Sequence, residues 1–573
     1  MTGQATARQS NRTAAHTMAQ ALARHGVEVM FGQSIPSQLH LAAPEFGLRQ
    51  IGYRTENAGA AMADGYARIS RKVGVVTAQN GPAATLLVPG LAEALKASVP
   101  VVAIVQDVAR ARTNRNAFQE LDQIALFQGC AKQILRIGVA ERLEDTIDLA
   151  FTAAAGGRPG PVVLLCPYDV LDEPAPTPSG RRASLGFYPI DRPVADPDAV
   201  TRAAELLAGA ERPLVVAGGG VHLSDAADEL ARLQEEANLP VATTSMGKGA
   251  VDEDHPISLG VVGYFMGPRG MARHHRPLVD QADVVLLIGT RTNQNGTDSW
   301  QLFPDGAVYI HLDIDPCEIG RNYEAVRLLG DARSTLRVLR EALAGRDLGK
   351  RRAARAGLEA AIAAGRLAHR EEAASVLESR KKPVRPERLM REMDALLTPE
   401  TIVVADASYA SIWVCNYLRA RRPGQRFVTP RGIAGLGWGL PLALGAKVAA
   451  PDRPVLCVAG DGGFAHVWAE LETARRMRLP VVLTVLNNQG LGYQKDAEDV
   501  LFGAHTDACD FSPVDHAAIA RACRWRAERI EDPDDYRDAL GTALASGEPT
   551  LLDVITDLDA HPPITMFEGR LGR

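Results

Sequence analysis

Val455-Leu-Cys-Val-Ala-Gly460-Asp461-Gly462-Gly463 and, further on, Val481-Val-Leu-Thr-Val-Leu-Asn487-Asn488-Gln489-Gly490 decide how this 573-residue chain folds. Each is a β-branched apolar run of the length expected for a buried strand, and each ends in a turn. Glycines in the first turn let the backbone come close to a phosphate. Asn488 lies 27 residues after Asp461, which leaves room for one crossover helix, read over Val467–Arg478. The two runs are then neighbouring parallel strands whose carboxyl ends share a sheet edge, where open α/β sheets bind ligands. A hard cation such as Mg²⁺ takes oxygens in a near-octahedral array and usually shares them with phosphate. The Asp461 carboxylate, the Asn488 amide oxygen and the Gly490 carbonyl supply protein oxygens, and a diphosphate with a water completes the shell. Gly-Asp-Gly alone is an ordinary turn and Asn-Asn alone an ordinary strand stop; it is the pair at this spacing that points to a metal-bound diphosphate.

Outward from these motifs, the same alternation of apolar run, glycine turn and helical pattern occurs in three successive segments, which predicts an α/β fold of three doubly wound parallel-sheet domains. The first domain is read over 1–190, with strands at Val27–Phe31, Val73–Thr77, Val101–Val105 and Val162–Cys166. The second covers 191–345, with Pro213–Ala217, Val284–Ile288 and Val308–Asp313. A solvated helical connector rich in Ala, Arg and Glu follows at 346–382. The third domain is 383–573, with Ile402–Ala405 and Leu551–Ile555 beside the two opening strands. Apolar residues make up 46% of the chain and charged residues 23%, with a net charge of -6. Those values exclude a basic nucleic-acid-binding face, and no apolar run has the length of a membrane span. No acid precedes Glu28, yet there is no signal-peptide core. The seven cysteines fit neither a disulfide framework nor a metal-ligand spacing, so a reducing cytoplasm is expected.

On these motifs the chain resembles the thiamine diphosphate enzymes, and among them the large, catalytic subunits of the acetolactate synthase group. The resemblance runs through Arg54-Thr-Glu56-Asn, Ala63-Asp-Gly-Tyr-Ala-Arg68, Asn80-Gly-Pro-Ala-Ala-Thr85 and Ala117-Phe118-Gln119-Glu120. It continues through Ala217-Gly-Gly-Gly220, Thr244-Ser-Met-Gly-Lys-Gly249, Asp313-Ile-Asp-Pro316 and Gly432-Ile-Ala-Gly-Leu436-Gly-Trp-Gly-Leu-Pro441, in the family's order. It implies a pyrimidine-binding first domain, a central domain and a diphosphate-binding third domain. Thiamine diphosphate and Mg²⁺ are the implied cofactors, with Asp461, Asn488 and Gly490 on the metal and Gly460, Gly462, Gly463, Ser408 and Tyr409 along the cofactor. Glu56 takes the position of the catalytic acid. A carboxylic acid on the pyrimidine N1′ drives the cofactor's own amino group to the form that acts as base, and burial raises the acid's pKa toward neutrality. Leu436 takes the position of the apolar wedge that bends the cofactor, while the Ala434 carbonyl and the Leu436 amide hold the pyrimidine edge. Phe118 and Gln119 take positions that line the reaction centre. Glu56 and Asp461 belong to opposite halves that meet across a dimer interface in the relatives, which implies a homodimer or homotetramer.

The substrate-facing positions depart from the family pattern. Its His-Glu-Gln is Thr55-Glu56-Asn57 here, its Gly-Pro-Gly-Ala-Thr-Asn is Gly81-Pro-Ala-Ala-Thr-Leu86, and its Pro-Gly-Gly loop is Gln33-Ser-Ile-Pro-Ser37. Its tryptophan-bearing apolar helix after the Asn pair becomes Leu491-Gly-Tyr-Gln-Lys-Asp-Ala497. In the middle domain Gly289-Thr-Arg291-Thr-Asn-Gln-Asn295 keeps one of two arginines found in relatives that bind a flavin, which leaves FAD open as a further cofactor. The glycine run at 218–220 is not the spaced fingerprint of a dinucleotide site. The expected activity is decarboxylation of pyruvate or a related 2-oxo acid followed by ligation to a second carbonyl, as in branched-chain amino acid biosynthesis. The alternatives are a 2-oxo acid decarboxylase, a 2-hydroxy ketone lyase or a C–C hydrolase, and, from a different class, a non-catalytic cofactor-binding homologue.

Overall fold

The computed structural model describes residues 12–571, so the start of the acid-free N-terminal stretch lies outside the described residues. Among the described residues, eighteen strands form three six-stranded sheets, and every strand pair within them is parallel. The first holds β1 (Val29–Phe31), β2 (Arg49–Ile51), β3 (Gly74–Ala78), β4 (Val101–Asp107), β5 (Gln133–Arg136) and β6 (Val162–Pro167), in the order β2-β1-β3-β4-β6-β5. The second holds β7 (Pro213–Ala217), β8 (Val241–Thr243), β9 (Ser258–Val261), β10 (Val284–Ile288), β11 (Val308–Asp313) and β12 (Ala325–Leu329), in the order β12-β11-β10-β7-β8-β9. The third holds β13 (Ile402–Ala405), β14 (Phe427–Val428), β15 (Val455–Gly460), β16 (Val482–Asn487), β17 (Arg526–Ile530) and β18 (Thr550–Ile555), in the order β14-β13-β15-β16-β18-β17. Three doubly wound parallel sheets are therefore present, as the alternation of patterns predicts. The first and third sheets share one strand order. The second runs outward in both directions from β7 and β10, the order in which dinucleotide-binding sheets are wound.

The central strands are mostly apolar and almost wholly buried, as expected when helices cover both faces of a parallel sheet. The short edge strands β2, β5, β12 and β17 alternate or lean polar and carry exposed positions, which is why no continuous apolar run marks them. Two expectations need correction. The single crossover helix between Asp461 and Asn488 is instead a short helix Asp461–Ala465 and a second, Glu470–Met477, with a break at His466–Ala469. The connector contains a helix, Gly349–Leu377, but it is not wholly solvated. Arg351, Ile362, Gly365, His369 and Ala373 are buried, the last four repeating at helical spacing, and a Cβ on Gly365 would lie 2.7 Å from the His275 ring.

By contact, the chain divides into two units. One is Met1–Ile190 with Pro430–Asp452 and Val467–Pro480; the other is Asp191–Thr429 with Arg453–His466 and Val481–Arg573. In the first unit the helix Glu56–Ser70 lies against the helix Gly439–Ala449 at backbone distance. A Cβ on Gly65 would sit 2.3 Å from the Leu442 carbonyl oxygen, and one on Gly445 would sit 2.0 Å from that of Met62. The run of alanine and glycine in Glu56–Ser70 thus serves close helix packing.

Candidate active site

In the first unit Glu56 opens its helix, and the Thr55 hydroxyl caps that helix by accepting from the Ala58 amide at 3.4 Å. Glu56 is buried, and burial pushes its carboxyl above the ordinary range. The turn before it is held by Glu470, whose carboxylate accepts from the amides of Arg54 (3.1 Å) and Thr55 (3.0 Å), and from the Thr473 hydroxyl at 2.7 Å. The chain's direction into the Glu56 helix is therefore set by a side chain more than 400 residues away in sequence.

The glycine-rich loop that carries Ala434 and Leu436 is fastened by Glu93. One carboxylate oxygen of Glu93 accepts from the Gly432 amide at 2.7 Å; the other accepts from Ile433 at 2.7 Å and Ala434 at 3.3 Å. Arg68 donates to Asp64 at 2.5 and 3.1 Å and lies 3.6 Å from Glu93, so the Ala63-Asp-Gly-Tyr-Ala-Arg68 motif is part of this latch. Burial raises the pKa of Glu93, against the pull of Arg68 and the loop amides. Asn57 accepts from the Trp438 indole at 2.8 Å, a further tie between the Glu56 helix and the loop. Ala434 itself stands at φ +61°, a strained value for a residue with a side chain. Neither Glu93 nor Glu470 was singled out in the sequence. The available signal was an acid set among alanines and leucines, as in Leu91-Ala-Glu93-Ala-Leu95.

Phe118 is 84% exposed, and Gln119 beside it stands at φ +58°. The Gln79 side-chain amide donates to Gln119 Oε1 at 2.6 Å and that of Asn80 donates to the Gln119 carbonyl at 2.9 Å, so the first part of the Asn80-Gly-Pro motif buttresses this loop.

In the second unit β15 and β16 are neighbours in register, with Gly460 opposite Leu486, which brings Asp461 and the Asn pair together at the carboxyl edge. Asp461 Oδ1 accepts from the Gly462 amide at 2.8 Å and Oδ2 from the Gln489 amide at 2.7 Å, so the two turns are joined through the carboxylate. Burial pushes Asp461 up to about 6, with these amides opposing the shift. The two asparagines divide their labour. Asn487 donates to Asp553 at 2.9 Å and to the Val514 carbonyl at 3.0 Å, whereas Asn488 turns its oxygen to the Gly490 amide at 3.3 Å. Gly490 is held between the Leu491–Cys509 and Phe511–Gln489 backbone bonds of 2.8 and 2.9 Å. A Cβ on Gly460 would meet nothing within 4 Å, whereas one on Gly462 would reach the Phe511 ring at 2.8 Å, and Gly463 is buried. Ser408 stands at φ +62° at the exit of β13, and Tyr409 beside it donates its hydroxyl to Asp496.

An Asp, an Asn oxygen and backbone carbonyls beside open space suit a magnesium shared with phosphate. Among the described residues there is no cluster of three or more His, Cys, Asp or Glu that would hold a metal by itself. In the middle sheet the glycines at 218 and 220 are explained by packing, since a Cβ on either would strike the backbone of Gly289 at 2.3 and 2.6 Å.

Three family models match along the chain: the N-terminal TPP binding domain of thiamine pyrophosphate enzymes over residues 12–126, their central domain over 200–339, and their C-terminal TPP binding domain over 406–554. A probable acetolactate synthase large subunit of Methanocaldococcus jannaschii is 34% identical over 97% of this chain and 94% of its own length. Acetolactate synthase isozyme 2 large subunit of Escherichia coli is 31% identical over 94% of each chain. The chloroplastic acetolactate synthase of Arabidopsis thaliana is 31% identical over 96% of this chain and 82% of its own. With this likeness running through all three sheets, the chain belongs to the acetolactate synthase large-subunit family of thiamine pyrophosphate-dependent enzymes.

Proposed function

We propose that this enzyme is a thiamine pyrophosphate- and Mg²⁺-dependent carboligase that decarboxylates pyruvate or a related 2-oxo acid and joins the resulting carbanion to a second carbonyl. The observation that carries the reading is the Asp461 carboxylate joining the Gly-Asp-Gly and Asn-Asn turns at one sheet edge. Thiamine pyrophosphate, when bound, supplies the carbon nucleophile and the electron sink for this chemistry. Asp461, Asn488 and the Gly490 carbonyl hold the cation, which neutralises the diphosphate. Glu56 holds a proton at the pyrimidine ring, a role suited to a buried carboxyl with a raised pKa. The Ala434 carbonyl and the Leu436 amide position the pyrimidine, with the loop held by Glu93. Gln119 orients the reacting carbonyl and Phe118 excludes water from it.

A second subunit is part of this reading. Leu86, Phe118, Leu121 and Ile124 are large apolar side chains left exposed on adjoining segments of the first unit, a patch suited to association with another copy. We place the enzyme in a reducing cytoplasm because the seven cysteines form no disulfide among the described residues. No helix among the described residues is long and apolar enough to cross a membrane. FAD is a separate expectation for the middle domain, checked by the visible absorption of the purified protein.

Release of CO₂ from a panel of 2-oxo acids by protein loaded with cofactor and Mg²⁺, followed by identification of the ligated product, tests the reading. Aldehyde without ligated product would favour a decarboxylase, a reading supported by the polar Gln494, Lys495 and Asp496 on the helix after the Asn pair. Silence toward every acid would favour the non-catalytic homologue, against which the buried Glu56 argues.

A further inference from the structure

The helix Gly492–Phe502 begins directly after the Asn488 turn. A Cβ on Gly492 would lie 3.1 Å from the Asn488 side-chain nitrogen and 3.1 Å from the Tyr409 ring, so this face of the helix is pressed against the metal-side turn. Asp496 is one helical turn on, at the i+4 position and therefore on the same face. It is fully buried. Its Oδ2 accepts from the Tyr409 hydroxyl and, at 2.7 Å, from His561 Nδ1. Its Oδ1 is buried and accepts from no group among the described residues. Lys495 beside it is directed to Asp559, at 3.5 Å.

A buried carboxylate oxygen without a donor is unfavourable and asks for a partner. Two donors on one oxygen fix the orientation of the carboxylate, leaving Oδ1 as a preset acceptor on the helix that packs against the Asn488 turn. Its negative charge disfavours a second carboxylate there, while a hydroxyl donates to it with the added strength of a charge-assisted bond. Building on the carboligase reading of the same site, we propose that Asp496, oriented by Tyr409 and His561, is a specificity-determining residue that accepts a hydrogen bond from the hydroxyl of a hydroxylated carbonyl substrate. That substrate is either a hydroxy 2-oxo acid donor or a hydroxyaldehyde acceptor. A site built to bind a hydroxyl discriminates strongly against the analogue without it.

The test uses full-length protein with thiamine pyrophosphate and Mg²⁺. One arm compares CO₂ release from hydroxypyruvate and pyruvate; the other compares ligation to glycolaldehyde and acetaldehyde with the better donor. In one arm the wild type should favour the hydroxylated compound in kcat/KM by about tenfold or more, and that arm identifies the source of the hydroxyl. Asp496→Asn should reduce the same ratio by about tenfold, and His561→Gln, at a partly exposed position, should reduce it as well. The ratio is the readout because a purely structural defect lowers both members of a pair together. CO₂ release with no hydroxyl preference in either wild-type arm, or a preference that both variants leave intact, would overturn this inference alone. No CO₂ from any donor would overturn it together with the carboligase reading.

Discussion

Glu56 and Asp461 are both buried carboxyls whose pKa burial raises, but their surroundings suit them to different tasks. Asp461 accepts two backbone amides at 2.7–2.8 Å, which fix the orientation of its carboxylate. Glu56 opens a helix, and desolvation is the main influence on it, which favours its protonated form. Replacing Glu56 by Gln should lower turnover by about 10²–10⁴-fold while leaving cofactor affinity nearly unchanged, as read by calorimetry alongside CO₂ release. For Asp461, the cation takes only the ionised form. With a pKa raised to about 6, the carboxyl protonates as pH falls through that value, so Mg²⁺-dependent cofactor affinity should be full above pH 7 and decline below about 6. Titration of the apoprotein with Mg²⁺ and thiamine pyrophosphate at several pH values checks this, and a flat profile between pH 5 and 7 would contradict it.

At the scale of elements, the packing of the helices Glu56–Ser70 and Gly439–Ala449 allows no side chain at Gly65. The obstacle is a backbone carbonyl, which no rotamer change can move. Gly65→Ala should therefore cost about 1–3 kcal/mol, seen as a lower midpoint in denaturant at unchanged slope. Glu93 latches the loop of Gly432–Ala434, and both its oxygens accept from backbone amides. Glu93→Gln turns an amide group toward one of those N–H donors. The expected outcome is a loss of stability of about 1–3 kcal/mol together with a weaker hold on thiamine pyrophosphate, and unchanged cofactor affinity would show that the loop keeps its shape without the latch. This latch also gives the Ala63-Asp-Gly-Tyr-Ala-Arg68 motif a physical meaning, since Arg68 stands between Asp64 and Glu93.

At the scale of the whole molecule, the proposed sharing of an active site between subunits has a direct test. Mixing Glu56→Gln with Asp461→Ala protein, each inactive alone, should recover activity on subunit exchange, because every mixed dimer would carry one site with both native carboxylates; no recovery would place both halves in a single chain. The apolar runs by themselves determined the α/β class, the three sheets and the central strands, because a strand buried on both faces must be apolar along its length. The spacing of Asp461 and Asn488 was likewise sufficient to bring the two turns to one sheet edge, since strand, turn, crossover and strand are all local in sequence. Edge strands such as β2 and β17 were not legible, because half-exposed positions carry mixed composition. Nor were Glu93, Glu470 and the Tyr409–Asp496–His561 group: each acts on residues distant in the chain, so no local pattern distinguishes it from an ordinary helical acid or a loop histidine. Only the tertiary structure ties Asn487 to Asp553 and turns Asn488 to the Gly490 amide, because the partner that occupies Asn487 is brought by packing from β18.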